Sequence, residues 1–111
     1  MKKNYAEIAA NWWCEKIEEQ NPHIDSKLLN PFKLFLIRRV DESIRKEAHI
    51  KLSTYRGFKS ETLFEVAHLT GVDKLLPPGF EMMVTPDIGV TVYDSCGMLV
   101  PMKNVSLRCV C

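Results

Sequence analysis

The sequence lacks the features that mark membrane-spanning or exported proteins. No apolar run approaches the roughly 20 residues that a membrane-spanning helix needs. Met1, Lys2 and Lys3 lead directly into a polar, amphipathic stretch rather than into the apolar segment of a signal peptide. We therefore expect a cytoplasmic protein with no membrane partner.

Catalytic and cofactor motifs are also missing. The four cysteines, Cys14, Cys96, Cys109 and Cys111, have neither zinc-ribbon nor Cys-x-x-Cys spacing, which predicts free thiols in a reducing compartment. Cys109 and Cys111 have no evident third and fourth metal ligand, and Cys96 has no neighbouring base to activate it. The five glycines are separate and form no phosphate loop. We expect no catalytic residue, no metal and no cofactor, and hence no enzyme.

What the chain does contain is an ordinary globular composition with segregated charge. Its 111 residues are 46% hydrophobic and 26% charged, which fits one domain over 1–111. The net charge of +1 conceals eight basic against three acidic residues in 33–59, and three basic against six acidic in 60–111. A surface divided in this way favours charged partners or self-association as a homo-oligomer.

Two adjacent tryptophans mark the first predicted helix, which we place from Tyr5 to Gln20 with Asn4 as N-cap. Neighbouring helical residues point about 100° apart. We therefore expect one of Trp12 and Trp13 in the core and the other near the surface, where aromatic side chains often serve contacts. Burial of both is the alternative, if the helix is sandwiched between a second helix and a sheet.

The second predicted helix begins with Asn30 as N-cap and Pro31 at its first position, and ends near Glu47 or Ala48. One apolar stripe runs along it, formed by Phe32, Phe35, Leu36, Val40 and Ile44. We expect Phe35, Leu36 and Val40, together with Phe64 from a later helix, in the core.

The rest of the chain predicts a third helix and several short strands. Residues 50–55 alternate as a half-buried strand does, although continuation of the second helix is the alternative. A third helix follows between a capping Ser60 and Gly71. Alternation and turn residues then predict strands at 80–85, 90–93 and 98–100, with a further one in the tail, 104–111. The expected fold is α+β, with two or three helices (about 4–70) packed on a small antiparallel β-meander (about 78–111).

Arginines make the second helix a candidate binding surface. Arg38, Arg39 and Arg45 lie on it and can form planar forks to phosphates or carboxylates. Together with an exposed tryptophan, they give the following candidate binding residues: Trp12, Trp13, Arg38, Arg39, Arg45, Tyr55 and Arg56. The alternative is a solvated helix face with ion pairs from Asp41 to Arg45 and from Glu42 to Lys46.

Several short motifs resemble those of a small family of uncharacterised phage and prophage proteins. They are Ala9-x-x-Trp12-Trp13, Leu63-Phe64-Glu65-Val66-Ala67 with Gly71-Val72, and Pro77-Pro78. Met82-Met83-Val84 and Val90-Thr91-Val92 followed by Gly97 continue the series. The resemblance implies an accessory protein of a mobile element that acts in the host cytoplasm, and many such proteins counter host immunity.

Three functions follow as hypotheses. The first is a non-enzymatic inhibitor that binds a host immune protein such as a CRISPR effector. The second is a homo-oligomeric sponge that sequesters a nucleotide immune signal, with a base stacked on an aromatic side chain beside an arginine. The third, ranked last, is a nucleic-acid binder, because such modules are usually strongly basic and this chain carries a net charge of +1.

Overall fold

A computed structural model describes residues 5–55, 58–59 and 61–100, with the side chains of 55, 58 and 59 left out. Three helices pack on an antiparallel sheet, which confirms the expected α+β class. The helices are α1 (Tyr5–Gln20), α2 (Ser26–Glu47) and α3 (Glu61–Thr70), and a 3-10 turn covers Asp73–Leu75. The strands are β1 (Ile50–Tyr55), β2 (Phe58–Lys59), β3 (Glu81–Thr85), β4 (Gly89–Tyr93) and β5 (Leu99–Val100).

Helix α1 has the predicted bounds and presents an almost continuous buried surface. Its small residues Ala6, Ala9 and Ala10 allow close approach of its neighbours, and the larger Ile17 is fully buried one turn from the end. The helix ends at Gln20, and the next residue, Asn21, donates its main-chain N–H and its side-chain amide to the carbonyl of Ile17, each at 2.9 Å. These bonds satisfy a carbonyl that a helix end otherwise leaves open.

Helix α2 starts one turn earlier than the sequence predicted. Asp25 is the N-cap, and its carboxylate accepts the main-chain N–H of Lys27 at 2.9 Å. Pro31 therefore lies inside the helix rather than at its first position, and the prediction of Asn30 as N-cap was wrong. Its ring lies at the exposed surface, and the helix forgoes the main-chain hydrogen bond that an N–H at this position would donate. The C-terminus is as predicted, with Ala48 left-handed at φ 65°.

The sheet draws strands from both halves of the chain. Residues 50–55 form a strand, which settles the open alternative, and β1 pairs with its sequence neighbour β2 on one side and with the later strand β3 on the other. The strand order is β2-β1-β3-β4-β5, all antiparallel. The register aligns Leu52 with Met82, Val92 and Val100 across four strands, so that one face of the sheet is apolar and faces the helices.

The core lies between this face of the sheet and the helices. Its largest fully buried side chains include Trp13, Phe32, Ile17, Leu36, Leu52, Leu63 and Met82. Leu36 and Val40 are fully buried, as predicted. Phe35 was predicted to be in the core but is 45% exposed, because the inward stripe of α2 is Leu29, Phe32, Leu36 and Val40. Phe64 is only partly buried.

A buried threonine fixes the end of β1 to the turn that precedes β3. The Thr54 hydroxyl donates to the carbonyl of Pro77 at 2.7 Å and accepts the N–H of Phe80 at 3.1 Å. Its main-chain N–H donates to the carbonyl of Phe80 at 2.8 Å, and its own carbonyl accepts the N–H of Gly79 at 3.2 Å. Gly79 has φ +82°, which L side chains rarely adopt, so this turn requires glycine.

Some predictions fall outside the described residues. These are the caps Asn4 and Ser60 and the strand in 104–111. The strands predicted at 50–55, 80–85, 90–93 and 98–100 lie within one residue of the observed bounds at each end, whereas β2 was not predicted. Gly71, with φ +79°, follows α3 as predicted.

Candidate functional site

Both tryptophans are buried, contrary to the expectation that one lies near the surface. Trp12 is 6% exposed and Trp13 is fully buried. Their rings meet edge to face at 4.8 Å, and Trp12 makes a similar contact with Phe80 at 5.1 Å. Two adjacent indoles fit because α1 packs between α2 and the sheet, so that both directions 100° apart are covered. This burial removes the exposed indole on which a partner or a base would stack.

The outer edge of Trp12 is covered by a lysine. Lys16 Nζ lies 5.6 Å from the centre of the Trp12 ring and 6.0 Å from that of Phe80. The same ammonium forms an ion pair with Glu19 at 3.3 Å. Lys16 thus covers the aromatic pair and keeps its charge near solvent. The indole N–H of Trp13, by contrast, has no hydrogen-bond partner among the described residues.

The candidate arginines on α2 point in different directions. Arg39 forms an ion pair with Glu65 and so links α2 to α3. Arg45 pairs with Asp41 at 3.3 Å on the same helix, as the alternative of a solvated face predicted.

The second predicted pair of that solvated face, from Glu42 to Lys46, is not formed in the described structure. Arg56 and the side chain of Tyr55 lie outside the described residues. Arg38 is exposed and, in the part of the chain that the structure describes, has no ion pair. It is the candidate arginine that remains available for a ligand.

Arg38 lines an open groove of about 490 Å³ on the side of α2 that faces away from the core. The groove is lined by Lys27, Asn30, Pro31, Leu34, Phe35 and Arg38, which we call the outer face of α2. Leu34 is 66% exposed and Phe35 is 45% exposed. Apolar side chains thus lie between two cations, Lys27 at one end and Arg38 at the other.

Helical periodicity explains why these side chains lie together. Lys27, Pro31, Leu34 and Arg38 are spaced i, i+4, i+7 and i+11, which places them on one side of a helix. The inward stripe has comparable spacing and occupies the opposite side. Sequence reasoning missed this face because it began the helix at Pro31 and counted Phe35 as core. Asp25 followed by Ser26 was the signal for the earlier start, since aspartate is a strong N-cap.

Pro31 removes one main-chain hydrogen-bond donor from the outer face. Within α2 the carbonyl of Lys27 would normally accept the N–H of residue 31, four positions later. Proline has no N–H, so this carbonyl lacks the donor four positions later. Lys27 and Pro31 are both exposed.

The two described cysteines differ in exposure, and neither has the surroundings of a nucleophile. Cys14 is 8% exposed, and burial raises the pKa of its thiol from 9.0 to about 11, although Lys33 lowers it somewhat. Its thiol is therefore protonated at neutral pH. Cys96 is exposed in the turn after β4, where its N–H donates to the Asp94 carboxylate at 2.9 Å.

No group of three or more histidine, cysteine, aspartate or glutamate side chains is placed to hold a metal ion within 5–55, 58–59 and 61–100. Over those same residues, no helix has the length and apolar character to span a bilayer.

Comparisons with protein-family models, with curated proteins and with solved structures gave no match. The outer face of α2 is therefore interpreted from its own chemistry.

Proposed function

We propose that this protein binds another protein through the outer face of α2, without catalysing a reaction, and that the bound protein is a host immune component such as a CRISPR effector. The observation that supports the binding surface is the exposed position of Leu34 and Phe35 between two cations. Contiguous exposed apolar side chains with a polar rim are typical of interaction sites.

The energetics of the groove suit a protein partner. Covering an exposed leucine or phenylalanine gains roughly 1.5–3 kcal/mol each when burial is complete. Arginine and aromatic side chains are the residue types that most often dominate interface energies. Lys27 and Arg38 favour carboxylates at the edges of the bound surface. The chemistry thus fits an apolar segment with acidic flanks, such as an amphipathic helix laid along α2.

The immune partner is supported by the resemblance of the sequence to phage and prophage proteins. A protein that inhibits by occupying a surface needs no nucleophile, metal or cofactor. It needs an exposed surface whose residues do not also stabilise the fold. Leu34 belongs to such a surface, because most of its side chain lies in solvent.

The proposal is tested by phage infection of a bacterium whose CRISPR system targets that phage. We expect expression of the protein to restore plaque formation, and Leu34→Asp to abolish the effect. Leu69→Asp is the matched control, since Leu69 is 69% exposed on α3, outside the groove. It should restore plaques as well as the unaltered protein. No restoration by the unaltered protein, or equal loss in both variants, would count against the proposal.

A second measurement identifies what is bound. The tagged protein should co-purify with a stoichiometric protein partner, and the yield should fall with Leu34→Asp and with rising salt, because exposed charge contacts are screened. A nucleotide released by denaturing the purified protein, with no protein partner, would instead support the nucleotide-sponge alternative.

A further inference from the structure

The charges along the outer face of α2 are arranged so that opposite charges face each other when two copies of the helix lie antiparallel. Along the helix, Lys27 comes first, the apolar Leu34 and Phe35 lie in the middle, and Asp41 and Glu42 follow. All five are exposed side chains of one helix. Lys27 therefore lies before the apolar pair and Glu42 after it, while Arg38 also follows the pair and Asp41 already pairs with Arg45 on the same helix.

An antiparallel second copy brings these groups together. If two α2 helices cross at the midpoint between Leu34 and Phe35, each leucine faces the phenylalanine of the other copy. Lys27 and Glu42 lie equally far from that midpoint, about 11 Å at 1.5 Å per residue. Each Lys27 then faces the Glu42 of the other copy, twice in a two-fold symmetric pair.

Arg38 has a partner in the same arrangement. It lies as far beyond the midpoint as Pro31 lies before it, so each guanidinium faces the Pro31 region of the other copy. There the carbonyl of Lys27 lacks the donor four positions later, because Pro31 has no N–H. Arginine can donate to that carbonyl while its side chain packs on the proline ring.

We infer that two copies of this chain pair antiparallel through the outer face of α2. The same face cannot bind a partner protein while it is covered by a second copy, so pairing regulates partner binding. This regulation rests on the proposed function. A parallel pair would place Lys27 against Lys27 and Arg38 against Arg38, which like charges oppose. One helix from each copy is a small contact beside the roughly 1,200–2,000 Å² of a standard interface, so we expect a weak, reversible dimer.

Sedimentation of the purified full chain over a range of concentrations, under reducing conditions, tests the pairing. We expect a monomer–dimer equilibrium that Leu34→Asp shifts to monomer at every concentration. Leu69→Asp should leave the equilibrium unchanged, and circular dichroism should show both variants folded. A chain that stays monomeric at the highest concentrations, or a dimer that is indifferent to Leu34→Asp, would overturn the inference. So would assembly beyond dimers.

Charge reversal tests the antiparallel register. Lys27→Glu and Glu42→Lys should each weaken the dimer by about tenfold, because two symmetric contacts become repulsive and each exposed pair contributes about 0–1 kcal/mol. The double variant Lys27→Glu/Glu42→Lys restores opposite charges and should restore the affinity. Two weakened single variants without rescue would contradict the antiparallel register.

The experiments distinguish failure of the proposed dimer from failure of the proposed function. A monomeric protein that still restores plaques in a Leu34-dependent manner would overturn the dimer and leave the proposed function standing. A dimer with the expected rescue, in a protein without effect on infection, would overturn the proposed function alone.

Discussion

At the scale of single residues, the side chains of Leu34, Phe35 and Leu36 show how far one helical step changes the surroundings. Leu34 is 66% exposed, Phe35 is 45% exposed and Leu36 is fully buried. Successive side chains rotate by about 100°, so three consecutive apolar residues cannot all face the same core. Leu36 contributes to packing, whereas Leu34 and Phe35 are available for a partner or a second copy.

Replacement of the two leucines by alanine should separate these roles. Leu36→Ala should lower the free energy of unfolding by about 2–5 kcal/mol, since it removes buried methyl groups and leaves a cavity. Leu34→Ala, the same chemical change two residues earlier, should change it by less than about 0.5 kcal/mol. Urea denaturation of the monomeric protein measures both. Equal effects of the two substitutions would show that the faces of α2 are assigned incorrectly.

At the scale of elements, α2 depends on where its first turn begins. The Asp25 cap adds five residues before Pro31, including Lys27 of the outer face and Leu29 of the core. Without that turn the outer face would lose the cation at its N-terminal end. The groove therefore depends on a cap that the sequence carries just before the helix.

Loss of the cap should destabilise the protein. Asp25→Ala removes the acceptor for the Lys27 N–H and should cost about 0.5–2 kcal/mol in thermal or urea denaturation. Asp25→Asn is the control, because asparagine caps about as well, and it should remain close to the unaltered protein. If the alanine variant is as stable as the asparagine variant, the carboxylate does not cap α2.

At the scale of the whole molecule, β1 joins the two halves of the chain. It follows α2 directly, yet it pairs with β3, whose last residue is 35 positions after the start of β1. Thr54 adds hydroxyl bonds to the turn between Pro77 and Phe80. The sheet, and with it the surface against which α1 and α2 pack, therefore depends on contacts between distant parts of the sequence.

Thr54→Val should weaken this connection. The change keeps the shape of the side chain but leaves the Pro77 carbonyl and the Phe80 N–H without the hydroxyl, at an expected cost of about 1–3 kcal/mol. Thr91→Val on β4, where the side chain is only partly buried, is the control and should be nearly neutral. The free energies of unfolding from urea titration give the comparison. Similar values for the two variants would contradict the role given to Thr54.

Periodicity and turn residues in the sequence were sufficient for the α+β class, for the bounds of α1 and for the strands that follow Pro77-Pro78-Gly79. These features depend on interactions between residues a few positions apart, and local sequence patterns predict such interactions directly. The arginines of α2 were predicted as binding residues, which stays a prediction; in the structure Arg39 and Arg45 form ion pairs and Arg38 lies on the outer face.

Tertiary structure decided which side of each helix is covered. Both tryptophans are buried because α1 has neighbours on two sides, and Phe35 is exposed because Leu29, Phe32, Leu36 and Val40 already face the core. The strand at 50–55 is a strand because β3 offers it a hydrogen-bonding edge. A local pattern states which side chains share a face, but only the packing of distant elements determines whether that face meets the core or the solvent.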